Sequence, residues 1–276
     1  MKGKKSNIVI YILLVILAVI FLAPIFIILF NSFKGKLYIS DAPFKLPIAE
    51  TFVGVQNYID GLSKTGFLSA FGWSIFITFF STIVIVLFTS MTGWYITRAK
   101  NKVSTVLYFI FVFSMIVPFQ MVMFTMSKVA NMLSLDNPIG LIVLYLGFGA
   151  GLSIFMFSGF VKSIPIDIEE AALIDGCNPI KTFFLIVLPL LKPICITVAI
   201  LNVMWIWNDY LLPSLVLKSD YKTIPMAVQY LRGGYGAIDM GAMMAVLVLA
   251  IIPIIIFYLT CQKYIIEGVA AGAVKG

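Results

Sequence analysis

The sequence predicts an all-α polytopic membrane protein: six transmembrane helices and a helical hairpin between the fourth and fifth. Three observations carry this. Only 11% of the 276 residues are charged and 62% are hydrophobic, where a soluble domain carries roughly 25% charged residues. Long stretches are free of charge: 6–33, 65–97, 103–127, 137–161 and 240–262. Each exceeds the roughly 20 residues that cross a hydrocarbon core. Lysine and arginine gather in short connections, as the positive-inside rule requires. The mean hydropathy of +1.09 agrees.

The spans follow in order, near 8–30, 73–97, 103–126, 137–160, 190–213 and 240–262. The first is preceded by Lys2, Lys4 and Lys5, a positive flank that also suits a signal peptide. Its apolar run, Ile8 to Phe30, is longer than the 7–15 residues of a signal core, so it reads as a retained span. The fifth meets Lys192 near its start and Asp209 near its end. Arg98, Lys100 and Lys102 fill the tight turn between spans two and three. They share a side with the N-terminal lysines, which puts both termini and loop 161–189 in the cytoplasm. Loop 31–72, with Pro43, Pro47, Gly54, Gly61 and Gly66, lies outside. Its length needs a reason beyond connection: a docking surface or a passive cap. No internal repeat stands out, so an inverted-repeat transporter gains no support.

Composition also excludes. With no histidine, His-based acid–base chemistry and most zinc sites are removed. Cys177, Cys195 and Cys261 are scattered and form no CxxC. No G-x-x-x-x-G-K-[ST] phosphate loop occurs. The net charge of +7 orients helices rather than binding nucleic acid.

The polar exception is Glu169 to Pro193, EEAALIDGCNPIKTFFLIVLPLLKP. Pro165 suits a first helical turn. Asp167, Glu169 and Glu170 suit the positive end of the helix dipole. Gly176 suits a left-handed C-terminal stop. Residues 165–175 therefore read as a short helix of about three turns. Asn178-Pro179 reads as the cap and first residue of a second helix, which breaks near Pro189 and Pro193. A helix this short is marginal alone. It either lies in a partner's groove or flat on the membrane, and its acids disfavour an anionic leaflet.

Within the spans, Asn202, Asn208 and Asp209 are candidates for a pathway or gate. Asn202 and Asn208 suit bonds between helices equally. The flanking Trp205, Trp207 and Tyr210 put Asp209 near an interface, where its cost is modest. Ser81, Thr82, Thr89, Ser90 and Thr92 on span two carry the same choice between pathway and packing. Phe119, Met121, Met123, Phe124 and Met126 read as a gate or as core packing.

The stretch Glu170-Ala171-Ala172 with Gly176, Ile186 and Leu188-Pro189 resembles the EAA loop of ABC importer permeases. EEAALIDG with LPLLKP is similar to the carbohydrate-uptake branch, and to its maltose-permease-like second subunit. Asn31-Ser32-Phe33-Lys34, Asn57-Tyr58, Trp207-Asn208-Asp209, Gln262-Lys263-Tyr264 and the terminal Gly272-Ala273-Val274-Lys275-Gly276 extend the resemblance along nearly the whole chain. Cys177 stands where that family often has alanine.

The resemblance implies a single transmembrane permease domain, 1–276, that does no chemistry. Glu169, Glu170, Ala171, Ala172, Asp175, Gly176 and Pro189 would couple to a separate ATPase, and Lys275 and Gly276 would reach it from the tail. ATP and magnesium would sit on that ATPase, and this chain would bind no cofactor. Implied partners are a second homologous permease, two cytoplasmic ATPase subunits, an extracellular sugar-binding protein and the lipid bilayer, with no nucleic acid. The setting would be a bacterial cytoplasmic membrane and the cargo a sugar, an oligosaccharide by preference. Competing readings are an ion-coupled transporter or channel, which wants more ionisable groups in the spans, and a membrane enzyme, for which no constellation exists.

Overall fold

Lipid offers no hydrogen-bond partners, so a chain this apolar must satisfy its backbone within helices. The computed structural model describes residues 2–231 and 239–273, with side chains through 8–229, 231 and 239–264. Among the described residues the chain is nearly all helix: α1 (Lys2–Asn31), α2 (Lys36–Asp41), α3 (Gln56–Thr65), α4 (Phe67–Ala99), α5 (Lys102–Ser114), α6 (Phe119–Met132) and α7 (Pro138–Val161) lead to the hairpin. The hairpin holds α8 (Asp167–Ile174), α9 (Pro179–Lys181), a π-helical turn (Thr182–Val187) and α10 (Leu188–Leu190). Then come α11 (Lys192–Asn208), α12 (Leu211–Val216), α13 (Ile224–Tyr230) and α14 (Met240–Ala273).

The helices α1, α4, α7 and α14 are each long and apolar enough to cross a membrane. The predicted third span, 103–126, is not one straight helix. It breaks at Pro118 into α5 and α6, which meet at 105°. Proline removes a backbone donor and pushes its predecessor out of the α region, an effect invisible to a charge gap. The predicted fifth span, 190–213, stops earlier, because Asp209 turns extended after α11. The described residues therefore hold four to six candidate spans, according to how the bent pairs are counted.

The chain divides into two compact units, Met1–Ala70 with Met226–Ile255, and Phe71–Pro225 with Ile256–Gly276. In the first, a polar knot ties the loop after α1. Asn57 Nδ2 donates to the carbonyls of Ser32 and Lys34 at 2.8 and 2.7 Å. Ser32 Oγ meets the Tyr58 hydroxyl at 2.7 Å. The Lys34 ammonium is buried, donates to the Ala42 carbonyl at 2.8 Å and lies over the Phe30 ring. Burial lowers its pKa below the ordinary value. Asn57 packs where any Cβ on Gly241 would sit, which fixes α3 on the start of α14. Lys64 clamps the same junction through Asp239 at 2.6 Å. That hydrogen bond raises the Lys64 pKa. For Asp239 burial is the largest single effect and raises the pKa, but the Lys64 hydrogen bond, the Ala242 N–H and the charges of Lys64 and Lys36 together outweigh it, and the carboxyl falls below its ordinary value.

In the second unit, α4 and α7 cross closely at Gly93, where a Cβ would come within 2.7 Å of Phe157 Cβ. Gly151 brings α7 equally close to Met115 of the segment after α5. Small residues at crossings are how helices approach in membranes. Ser127 Oγ donates to the Leu215 carbonyl at 2.7 Å and joins α6 to α12.

Candidate functional site

The hairpin is built by local rules. Asp167, Glu169 and Glu170 occupy the first turn of α8, where acids oppose the exposed N–H dipoles. At its end Gly176 has φ +82°. Cys177 N–H donates to the Ala172 carbonyl at 3.0 Å and Gly176 N–H to Leu173 at 3.1 Å. This is the Schellman closure, and the left-handed residue at its centre is a glycine. Asn178 Oδ1 then accepts from Lys181 N–H at 2.8 Å, with Pro179 at the first helical position.

The expected helix 165–175 is shorter than predicted. It begins at Asp167, and Pro165 lies just outside its first turn. The second arm breaks between Pro189 and Pro193, as expected. The π-helical turn at 182–187 precedes Pro189, which then opens the short α10, where a missing N–H is tolerated. The break falls at Leu191, and the arm Pro179–Leu190 stands at 77° to α11.

The hairpin has two faces. Inward are Glu169, Ala172, Thr182, Phe183 and Val187, all buried. Phe183 and Val187 join Phe157, Val161, Leu191 and Val198 in one apolar core with Trp94 at its edge. Outward and exposed are Asp167, Glu170, Ala171, Asp175 and Gly176. Beside them stand Leu173 at 54%, Ile174 at 86% and Ile180 at 67% exposure. Pro189 is exposed on the second arm. The inner face is anchored by charge. Arg98 Nε and Nη2 donate to Glu169 Oε1 at 2.9 and 2.8 Å. Trp94 Nε1 donates to Glu169 Oε2 at 2.8 Å, and a second Nη2 bond reaches the Ile164 carbonyl at 2.9 Å.

Sequence reasoning missed Trp94 and gave Arg98 only an orienting role. The legible signal was a Trp and an Arg at i and i+4 on the last turns of α4, facing an acid three residues before a small Ala172.

The span candidates separate. Asn202 is buried and donates to Ser153 Oγ at 3.3 Å and to the Val198 carbonyl at 2.8 Å, joining α11 to α7. Asp209 accepts from the Tyr145 hydroxyl at 3.0 Å and caps α12 through Leu211 N–H at 2.9 Å. Asn208 is exposed, its amide turned back to the Met204 carbonyl. Thr89 and Ser90 bond carbonyls of their own helix. Met121 and Phe124 are exposed rather than core. Lys275 and Gly276 lie outside the described residues.

Long apolar helices define a multi-pass membrane protein, and among its described residues no cluster of His, Cys, Asp or Glu could hold a metal ion. Residues 88–270 match the family of binding-protein-dependent transport system inner membrane components, and the chain belongs to that family. It is thus a transport permease subunit and not an enzyme. It is 39% identical to the probable starch degradation products transport system permease protein AmyC of Thermoanaerobacterium thermosulfurigenes, over 95% of this chain and 94% of that one. It is 35% identical to the multiple sugar-binding transport system permease protein MsmG of Streptococcus mutans, over 96% of each. A solved structure of a bacterial ABC transporter that imports the acidic polysaccharide alginate contains a similar chain. The TM-score is 0.79 at 26% identity, covering 96% of this chain and 98% of that one.

Proposed function

We propose that the chain is one of two permease subunits of an ATP-driven sugar importer, with an oligosaccharide as cargo. The supporting observation is the hairpin's division of labour: an outer rim of Asp167, Glu170, Ile174 and Ile180 is left exposed, while Glu169, Ala172 and Phe183 bolt it from within. An exposed apolar side chain on a rigid, acid-flanked helix suits a groove in a partner protein better than a membrane surface. The named cargoes of AmyC and MsmG support the sugar.

In this reading the bent pair α5 and α6 is one span and α11 another, giving six with α1, α4, α7 and α14. The termini and hairpin face the cytoplasm of a bacterial cell, and loop 31–72 faces outward. The hairpin couples through Glu170, Ala171, Asp175 and Gly176 to one of two ATPase subunits, which hold ATP and magnesium, and the tail at Lys275 and Gly276 adds a contact. The first span buries none of its most apolar window within the chain, a surface free for the second permease or lipid. A binding protein delivers cargo from outside, and Asn208 is the span candidate whose side chain is exposed to meet that cargo.

The test is uptake of radiolabelled maltodextrins and raffinose-type oligosaccharides by proteoliposomes holding the assembled subunits and binding protein. Uptake of a sugar that requires enclosed ATP and ignores ionophores is expected. Ionophore-sensitive uptake without ATP would establish ion coupling instead. Gly176→Val should still reach the membrane yet lose uptake, since a β-branched residue at this φ is strained by about 1–3 kcal/mol.

A further inference from the structure

Of the three acids in the first turn of α8, Glu169 alone is buried; Asp167 and Glu170 are exposed. Its carboxylate is held by two donors from Arg98 and one from Trp94. The same guanidinium holds the Ile164 carbonyl in the segment after α7. Trp94 also lies against Phe183 of the π-helical turn, ring centroids 5.5 Å apart. The end of α4, the exit of α7 and both arms of the hairpin therefore meet at one charged node.

A buried ion pair adds little stability over well-packed apolar residues of similar volume. What it supplies is direction. Apolar contacts such as Ala172 slide at small cost, whereas charge-assisted hydrogen bonds near 2.8 Å do not. A displacement of α8 must carry α4 with it or break three such bonds. α4 has 33 residues, about 50 Å of continuous helix.

We infer that Glu169, Arg98 and Trp94 form a transmission strut: Glu169 faces away from the ATPase and passes hairpin movement into α4. The three are positioning residues. This inference rests on the coupling role proposed above for the hairpin.

The experiment compares Glu169→Gln, Trp94→Phe and the apolar pair Arg98→Met/Glu169→Met in the complete reconstituted importer, reading sugar taken up per ATP hydrolysed. Subunit stoichiometry of the purified complex is the control for assembly. Glu169→Gln should lower the ratio about tenfold, and Trp94→Phe should lower it less. The apolar pair leaves no orphaned charge, so it should assemble normally and still be uncoupled. An assembled apolar pair with the ordinary ratio would overturn the strut and leave the node a packing feature. So would an ordinary ratio in Glu169→Gln. Photocrosslinking from Ile174 to the ATPase, run in parallel, separates the two ideas. Capture with an ordinary ratio sinks the strut alone, and no capture from the unaltered backbone sinks hairpin docking itself.

Discussion

A carboxylate at the end of an apolar helix is costly unless its oxygens are occupied. Asp209 meets that demand within the chain, through Tyr145 on one oxygen and the first N–H groups of α12 on the other. Asparagine could keep both contacts, with the Tyr145 hydroxyl accepting instead of donating. We expect Asp209→Asn to retain uptake within about twofold, and Asp209→Ala to lose a cap worth about 0.5–2 kcal/mol, seen as a lower unfolding temperature in detergent. Loss of uptake in an assembled Asp209→Asn importer would mean that the charge itself acts on cargo or gate. At this scale the sequence was legible wherever the rule is local. Gly176 and Asn178-Pro179 stop and start helices as their chemistry predicts. Glu169 was not legible, because the dipole argument treats all three acids alike. Which one turns inward depends on Arg98, 71 positions away in sequence.

Among elements, the crossing of α4 on α7 is set by the absence of side chains. A Cβ on Gly93 would meet Phe157, while one on Gly159, two residues beyond Phe157, meets nothing within 4 Å. Gly93→Ala should therefore lower the unfolding temperature, by the equivalent of about 1–3 kcal/mol of overpacking, and Gly159→Ala should leave it nearly unchanged. Equal effects would refute the close crossing. Element existence was readable from charge gaps, and the apolar stretches of α1, α4, α7 and α14 match four of the six predicted spans to within a few residues. The bend of 105° between α5 and α6 was not, because hydropathy averages over Pro118 without registering its lost donor. The π-helical turn before Pro189 escaped for a similar reason: periodicity sees apolar residues, not the bonding register beneath them.

For the molecule as a whole, apolar surface left uncovered is as informative as the core. Ile174 on the hairpin and Phe44 in the loop after α2 are among its most exposed large side chains. In the proposed function Ile174 meets the ATPase and Phe44 does not. The family itself was legible because its signature lies in the polar interruption between spans, where an apolar chain must answer to something other than lipid. The decisive measurement is site-specific photocrosslinking in the assembled importer, with the reactive group at Ile174 or at Phe44. Capture of the ATPase from Ile174 and not from Phe44 is the expected result. Capture from Phe44, or none from Ile174 in an importer that still transports, would contradict the claim that ATP-driven movement enters this protein through its hairpin.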